Sequence, residues 1–356
     1  MPQLLNPVKA ATLAIGLIMS APETLACAFH SYVPEETVVD KMLGSDHIVL
    51  ARPDPDNPIR FKAVDALRGG TEGVELPQQL DEDTLKRMSS NPDDRALFAR
   101  QDSYGPWEQL AYLDADFHAV ILQVSAKLDK WEFGGDEERF QLFADLHNHP
   151  NPDLHRLALQ ELDRAPYDLL RTLRLNADAT AIISALSDPE FAKFLPIHVL
   201  LLGFSDRADG EPALQHGLSN AVMDETDLLA GAWATALIEL TGVRGVQDVA
   251  QTLLSNSDMP SEKQESLIEA FAIHGRSDSP KIVAEVDRQL ARILDTTAST
   301  AGMVARQFGA RGDWSQAERL QKMLKSGSFR NAGTLISVSH YLSFAKEYGE
   351  PASANN

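Results

Sequence analysis

Residues 149–162 have the sequence His-Pro-Asn-Pro-Asp-Leu-His-Arg-Leu-Ala-Leu-Gln-Glu-Leu, and this stretch decides the fold class. Asn151 is a favoured helix N-cap, and Pro152 follows it in the first turn, where a missing N–H costs nothing. Four apolar side chains then lie on one face of the predicted helix, at Leu154, Leu157, Ala158 and Leu162. The pattern predicts an amphipathic helix that buries one stripe against a neighbouring element.

The same pattern recurs along the rest of the chain. Pro166 stands where a further helix would begin, and later breaks at 187–189, 277–280 and 311–313 offer Ser or Asp as N-cap residues. Apolar stripes at helical spacing accompany these breaks: Leu169, Leu170 and Leu173; Leu214, Leu218, Ala221 and Val222; Leu229, Ala232, Trp233, Ala236, Leu237 and Leu240; Val246, Val249, Ala250 and Leu253; Ile282, Val286, Leu290 and Ile293; Trp314, Ala317, Leu320 and Leu324. We count about twelve helices joined by loops of roughly two to six residues, which is the spacing of antiparallel helix pairs.

The turn and helix opening at 149–162 resemble the inter-helix turn and second-helix opening of HEAT-type repeat proteins. Looser copies of that turn are Ser187-Asp188-Pro189 and Gly312-Asp313-Trp314. The resemblance covers residues 136–348, and it implies an α-solenoid whose stacked helix pairs present an extended concave binding surface. The apolar stripes also favour stacking by themselves, because a helix pair with one such stripe cannot bury it without a neighbouring pair.

Residues 27–133 differ in pattern and predict a small antiparallel β-domain. Period-two alternation or β-prone composition predicts strands at 47–51, 59–64, 74–76, 107–113 and 118–124. The segment 52–58 predicts a turn because its three prolines forbid regular pairing, and the polar segment 81–103 predicts a surface helix or a mobile loop. The predicted fold class is therefore α+β and mostly α: a small antiparallel β-domain, then the HEAT-like helical array, then a disordered tail at 349–356.

Residues 1–26 predict a cleaved export signal. Lys9 precedes the apolar run Ala10–Ala21, which is too short to span a bilayer but has the length of a signal-peptide core. Small residues then predict cleavage after Ala26, which would leave Cys27 as the first residue; an uncleaved anchor is the alternative. No later stretch of the sequence is long and apolar enough for a membrane helix, so the predicted location is the periplasm.

Cys27 is the only cysteine of the chain, so no internal disulfide can form. This composition fits a bacterial periplasm, where a protein with a large core does without cross-links. Three roles for Cys27 compete: attachment of a lipid, a small metal chelate with its own α-amine and His30, or a buried anchor of the N-terminus. We favour the buried anchor, because free cysteine is among the most buried residue types.

The chain has 356 residues and a formal charge of −20. This charge disfavours nucleic acid as a partner, because phosphate contacts need clustered Lys and Arg. An anionic membrane surface is disfavoured for the same reason. The acidity is spread over both the β-domain and the helical region, which indicates a solvated surface that aids solubility.

Two groups of side chains were candidates for a metal ion. The first is His147, His149 and His155, with Asp145 and Asp153 nearby. The alternative for this group, which we prefer, is a set of polar residues in an inter-helix turn. True metal sites need a convergence of ligands that spacing alone does not provide.

The second group is Asp114, Asp116 and His118, which would share one face of a strand and reach one ion. The alternative is a polar hairpin turn before an apolar strand, and we prefer it because Asp is common in turns. His198 and His340 are interpreted as core histidines of apolar helices.

The sequence contains no nucleophile elbow, phosphate loop, dinucleotide fingerprint or zinc-protease motif. It therefore predicts no catalytic, metal or cofactor residue, and only a processing site at Ala26 and Cys27. The leading hypothesis is an exported binding or scaffolding protein that presents its helical surface to a protein partner in the cell envelope. The first alternative is a metal-binding or metal-dependent envelope protein that uses the β-domain, and the second is a hydrolase acting on envelope material.

Overall fold

A computed structural model describes residues 34–102, 104–256 and 258–349. Over these residues the fold is α+β and mostly helical, with one four-stranded antiparallel sheet, so the predicted fold class is confirmed. The strands are β1 (His47–Asp54), β2 (Asn57–Arg68), β3 (Arg95–Arg100) and β4 (Glu108–Leu113), in the order β2-β1-β3-β4. Residues 350–356, most of the predicted tail, lie outside the description.

The described residues form seventeen α-helices. They are α1 (Val38–Leu43), α2 (Glu82–Ser90), α3 (Ala115–Ser125), α4 (Leu128–Glu132), α5 (Asp136–Leu146), α6 (Pro152–Arg164), α7 (Tyr167–Leu170), α8 (Ala179–Ala185), α9 (Leu195–Leu202), α10 (Arg207–Met223), α11 (Ala230–Thr241), α12 (Val243–Ser255), α13 (Ser261–His274), α14 (Pro280–Thr296), α15 (Ala301–Ala310), α16 (Ala317–Lys325) and α17 (Ala332–Tyr348). Short 3₁₀ turns lie at Pro189–Phe194 and Ala298–Thr300. None of these helices is long and apolar enough to cross a membrane.

Most residues of the predicted stripes lie on helices, but Leu173, Leu229 and Trp314 lie just outside them. Asn151 caps α6 by accepting hydrogen bonds from the backbone N–H groups of Asp153 and Leu154, and Pro152 is its first residue. The four apolar residues of the α6 stripe are all fully or almost fully buried. The helices then pack in alternation: α11 contacts α13, α13 contacts α15, and α15 contacts α17, while α12 contacts α14. Helices α11, α12, α13 and α15 therefore pack on the helix two places further along.

The strand predicted at 118–124 is wrong, because these residues form most of α3. Asp114 caps this helix and accepts a hydrogen bond from the backbone N–H of Phe117 at 2.9 Å. The buried side chains Phe117, Val120, Ile121 and Val124 follow at helical spacing. Three of these residues are β-branched, which favoured the prediction of a strand. The N-cap at Asp114 and the helical spacing of the buried residues specify a helix instead.

Other predictions in the sheet region need smaller corrections. The stretch 74–76 forms no strand, and the turn predicted at 52–58 is shorter, because β1 and β2 are separated only by residues 55–56. Pro53 is tolerated in β1 because pairing with β3 stops at Ala51, so its missing N–H costs no hydrogen bond there. Within 81–103, α2 confirms the surface helix, but Arg95–Arg100 forms the buried strand β3.

The sheet and the first helix pair share one hydrophobic core. Ile48 and Leu97 of the sheet belong to the same buried cluster as Phe143 of α5 and Leu157 of α6. The predicted boundary at 133–136 falls on Gly134 and Gly135, between α4 and α5, and the cluster continues across it. The division of the chain into domains at 27–133 and 136–348 stays a prediction.

Buried ion pairs hold this junction together. The Arg139 guanidinium of α5 donates to Asp40 of α1 and to Glu161 of α6, both at 2.8 Å, and Arg164 pairs with Asp40 at the same distance. Burial alone raises the pKa of Asp40, but the hydrogen bond from the Thr37 backbone and the charges of Arg139 and Arg164 leave it lowered. Burial keeps the pKa of Glu161 raised even beside Arg139.

We predict that Arg139→Met lowers the free energy of unfolding by about 3–5 kcal/mol, because it leaves the fully buried Glu161 carboxylate without its cation. Chemical denaturation measures this change. The double variant Arg139→Met, Glu161→Leu should recover most of the loss, since Asp40 keeps Arg164. Arg244→Gln, which removes a half-exposed arginine, is the control and should cost at most about 1 kcal/mol. An Arg139→Met variant as stable as this control would contradict the prediction.

Candidate functional site

The predicted processing site, Ala26 and Cys27, lies outside the described residues, as does His30. The competing roles of Cys27 therefore stay predictions. The remaining candidate residues all fall within the description.

The structure does not place Asp114, Asp116 and His118 on one face. They lie at the start of α3, where side chains two positions apart point in different directions around the helix. Asp114 is the helix cap, and its second carboxylate oxygen accepts from the Asn151 amide at 2.7 Å. This contact ties α3 to the turn between α5 and α6, so Asp114 has a structural role.

The histidines of the α5–α6 turn are bonded to backbone groups. His147 donates from Nδ1 to the Ala144 carbonyl at 2.6 Å, and His155 donates from Nδ1 to the carbonyl of His147. His149 accepts from the backbone N–H of Asn151 at 3.1 Å. Across residues 34–102, 104–256 and 258–349, no group of three or more His, Cys, Asp or Glu side chains could hold a metal ion.

His198 lies in α9 among buried apolar side chains and is 3% exposed, whereas His340 lies on an exposed side of α17. The interpretation of His340 as a core residue is therefore wrong. Burial, followed by the neighbouring imidazoles of His155 and His147, lowers the pKa of His198 to about 4. Burial likewise lowers the pKa of His155. Both rings are therefore neutral near pH 7.

The last described helix, α17, carries an unusual outer surface. Its inner side is formed by Thr334, Val338 and Tyr341, which are buried. Its outer side exposes Leu335, Ile336, Ser339, His340, Ser343 and Tyr348, and Ile336 is 70% exposed. Residues 332–345 contain no Asp, Glu, Lys or Arg. A solvated helix normally carries charge on its outer face, so this face has the composition of an interface.

An aromatic row runs along α17. The rings of His340 and Phe344 are 4.6 Å apart, and those of Phe344 and Tyr348 are 5.7 Å apart and stacked. Trp314, ahead of α16, stacks on Phe344 at 6.4 Å. The hydroxyl of Tyr341 donates to the Asp313 carbonyl at 2.7 Å, so the underlying helix is fixed in place. Aromatic side chains on a rigid support are typical of protein interfaces.

The segment that carries this face is basic. Residues 317–349 contain five basic and two acidic residues, a net charge of +3, against −20 for the whole chain. Four exposed cations form no ion pair with any described residue: Lys322, Lys325, Arg330 and Lys346. We call the exposed side chains of α17 together with these four cations the terminal surface.

Comparisons of the chain with protein-family models, with curated proteins and with solved structures found no match. The terminal surface was missed in the sequence because charge was averaged over two long regions. The signal that could have found it is the uncharged run at 332–345, flanked by Arg330 and Lys346.

The lowered pKa of His198 predicts a loss of stability in mild acid. The unfolded chain binds a proton near pH 6.5 and the folded chain only near pH 4, so stability falls as the pH drops through this range, by about 3 kcal/mol from His198 alone. Denaturation of His198→Gln between pH 7 and pH 4 should show a smaller slope. Leu200→Ala, which removes a buried neighbour without a titrating group, should lower stability and keep the slope. Equal slopes for wild type and His198→Gln would contradict this prediction.

Proposed function

We propose that this protein is an exported binding or scaffolding protein that docks a protein partner of the cell envelope on its terminal surface. The observation that carries the proposal is the outer face of α17, uncharged over residues 332–345, in a segment with four unpaired cations and in a chain of charge −20. The alternating packing of α11 to α17 supports a HEAT-like array as the framework that presents this surface.

The chemistry of the surface defines the partner. Interfaces have an apolar, aromatic centre and a polar rim, and Leu335 and Ile336 provide exposed apolar contact here. Lys322, Lys325 and Arg330 favour a partner whose own apolar patch is bordered by carboxylates, because complementary charge raises the association rate and selects the partner. We therefore propose an acidic-rimmed protein surface as the occupant.

A second copy of the chain is the less favoured occupant. Face-to-face pairing through the terminal surface would oppose two regions of charge +3. Head-to-tail pairing of the terminal surface with an acidic region would leave the same surfaces free on each new copy, which leads to open filaments unless the rotation closes. A different protein with an acidic rim would match the basic charge and cover the apolar side chains, without like-charge repulsion and without filament growth.

We predict that Ile336→Asp weakens binding of the partner by about 30-fold, since an interface anchor contributes about 2 kcal/mol or more. The partner is first identified with a photo-cross-linking residue at position 336 in cells of the native host, and its affinity for the purified chain is then measured by calorimetry. Ile59→Asp is the matched control, because Ile59 is also an exposed isoleucine but lies on β2. It should leave the affinity unchanged.

The proposal is tested by the composition of the partner peptide that cross-links to position 336. A cross-linked peptide with apolar residues bordered by Asp or Glu, and an affinity that falls with added salt, would support it. Cross-links from position 336 only to another copy of this chain would overturn it, as would equal losses for Ile336→Asp and Ile59→Asp. The mass of the chain purified from the same cells tests export separately, through a start at Cys27.

A further inference from the structure

A cavity of about 760 Å³ is lined by five separate parts of the chain. They are residues 34–35, α6, the 3₁₀ turn at Pro189–Phe194, the first turn of α9 and the loop between α10 and α11. The volume lies within the roughly 300–1,000 Å³ of ordinary small-molecule sites. None of the lining residues belongs to the terminal surface, so the proposed function does not account for this cavity.

One part of the lining is apolar. Phe194, Leu195 and Pro196 come from the 3₁₀ turn and the first turn of α9, and Leu228 and Leu229 come from the loop before α11. Leu228 is 58% exposed although it lies beside this apolar wall. Ligand sites are usually lined by apolar side chains together with a few polar groups that orient the ligand. The wall therefore suits a ligand with an apolar body.

Carboxylates reach the cavity from two separate regions of the fold. Glu35 precedes α1 and Asp163 belongs to α6, whereas Asp224 and Asp227 lie in the loop between α10 and α11. Lys193 is the one cation among the described lining residues, so four acidic side chains and one basic side chain give the lining a net charge of −3. A cleft with one sign of charge concentrates ligands of the opposite sign, which here are cations.

The two loop aspartates are held in place and still have an oxygen to offer. Oδ1 of Asp224 accepts from the backbone N–H and the hydroxyl of Thr226, at 2.9 and 2.7 Å, and Oδ1 of Asp227 accepts from the Leu229 N–H at 2.7 Å. No described residue donates a hydrogen bond to Oδ2 of either aspartate. Asp224 is exposed and Asp227 is half-buried, so a ligand reaches both from the cavity.

The arrangement restricts the class of cation. A single metal ion is disfavoured, because no group of three or more His, Cys, Asp or Glu side chains within the described ranges could hold one. An ammonium group donates up to three hydrogen bonds and pairs strongly with carboxylates. An amine with one ammonium group would leave either Glu35 or the loop aspartates without a cation. A chain with an ammonium group at each end matches both regions and covers the apolar wall between its charges.

We propose that this cavity binds a linear aliphatic polyamine. One ammonium group pairs with Asp224 and Asp227, a second pairs with Glu35, and the methylene chain packs on Leu228 and the side chains of the first turn of α9. The proposal is independent of the terminal surface and of export.

The test uses octamethylenediamine as the probe and octylamine, which has one ammonium group, as its matched control. Each is titrated calorimetrically into the full chain at pH 7. Octamethylenediamine should bind about tenfold more tightly than octylamine or better, because a hydrogen bond to a charged group contributes a factor of about ten or more. Its affinity should also fall as salt is added.

A double variant tests the loop carboxylates. Asp224→Asn with Asp227→Asn keeps an Oδ1 acceptor at both positions but removes both charges, and it should weaken binding of octamethylenediamine by about tenfold. Asp178→Asn with Asp188→Asn is the matched control. These two exposed aspartates also accept backbone N–H groups at Oδ1, but they do not line the cavity, so the affinity should stay unchanged.

A second variant tests the apolar wall without touching the loop hydrogen bonds. Leu228→Ser replaces an exposed leucine of the cavity and should weaken binding several-fold, whereas Leu122→Ser replaces an exposed leucine of α3 and should not. In the wild-type chain, octamethylenediamine should shift the methyl resonances of Leu228 and Leu229.

Four results would overturn the proposal: no binding of octamethylenediamine, equally tight binding of octylamine, equal affinities for the two double variants, or binding that leaves the methyl resonances of Leu228 and Leu229 unmoved. Stoichiometric binding of Ca²⁺ or Mg²⁺ that displaces the diamine would also overturn it, in favour of a metal site.

Discussion

The buried guanidinium of Arg139 constrains the junction between the sheet region and the first helix pair. It joins α1 and α6 through Asp40 and Glu161, at a place where the apolar cluster of the sheet continues into α5 and α6. A buried pair of this kind adds little net stability over an apolar contact, but a shift of either helix would leave a charge buried without a partner. The geometry of the first helix pair is therefore narrowly fixed.

The turn between α5 and α6 lies next to this contact and is held by hydrogen bonds of its own. Asn151 caps α6 and also donates to Asp114, while the carbonyl of His147 accepts from His155. His147 and His155 line a cavity of about 250 Å³ that α9 closes with His198. The same turn thus holds the helix pair together and fixes the rings of His147 and His155.

The sequence predicts those parts of the fold that depend on interactions between residues close together in the chain. The α6 stripe was predictable because cap, proline and apolar spacing all act within one helix. The helix α3 was missed because its β-branched residues outweighed the cap at Asp114. The strand β3 was missed because its burial depends on pairing with the distant β1 and β4. The cavity was beyond prediction, since His147 and His198 are brought together only by the packing of α6, α8 and α9.

The polar contacts between packed helices also show how the outer face of α17 differs from the faces of the helices before it. Glu265 and Glu269 of α13 pair with Arg306 and Arg311 of the next layer, at α15 and its C-terminal end. These two carboxylates of α13 are thus paired with cations of the helix that packs on it. No described helix covers the outer face of α17, and the outer face of an exposed helix normally carries charge. Residues 332–345 carry no such charge, so the outer face of α17 has the composition of a buried helix face. A partner that covers this face would continue the packing pattern of the array.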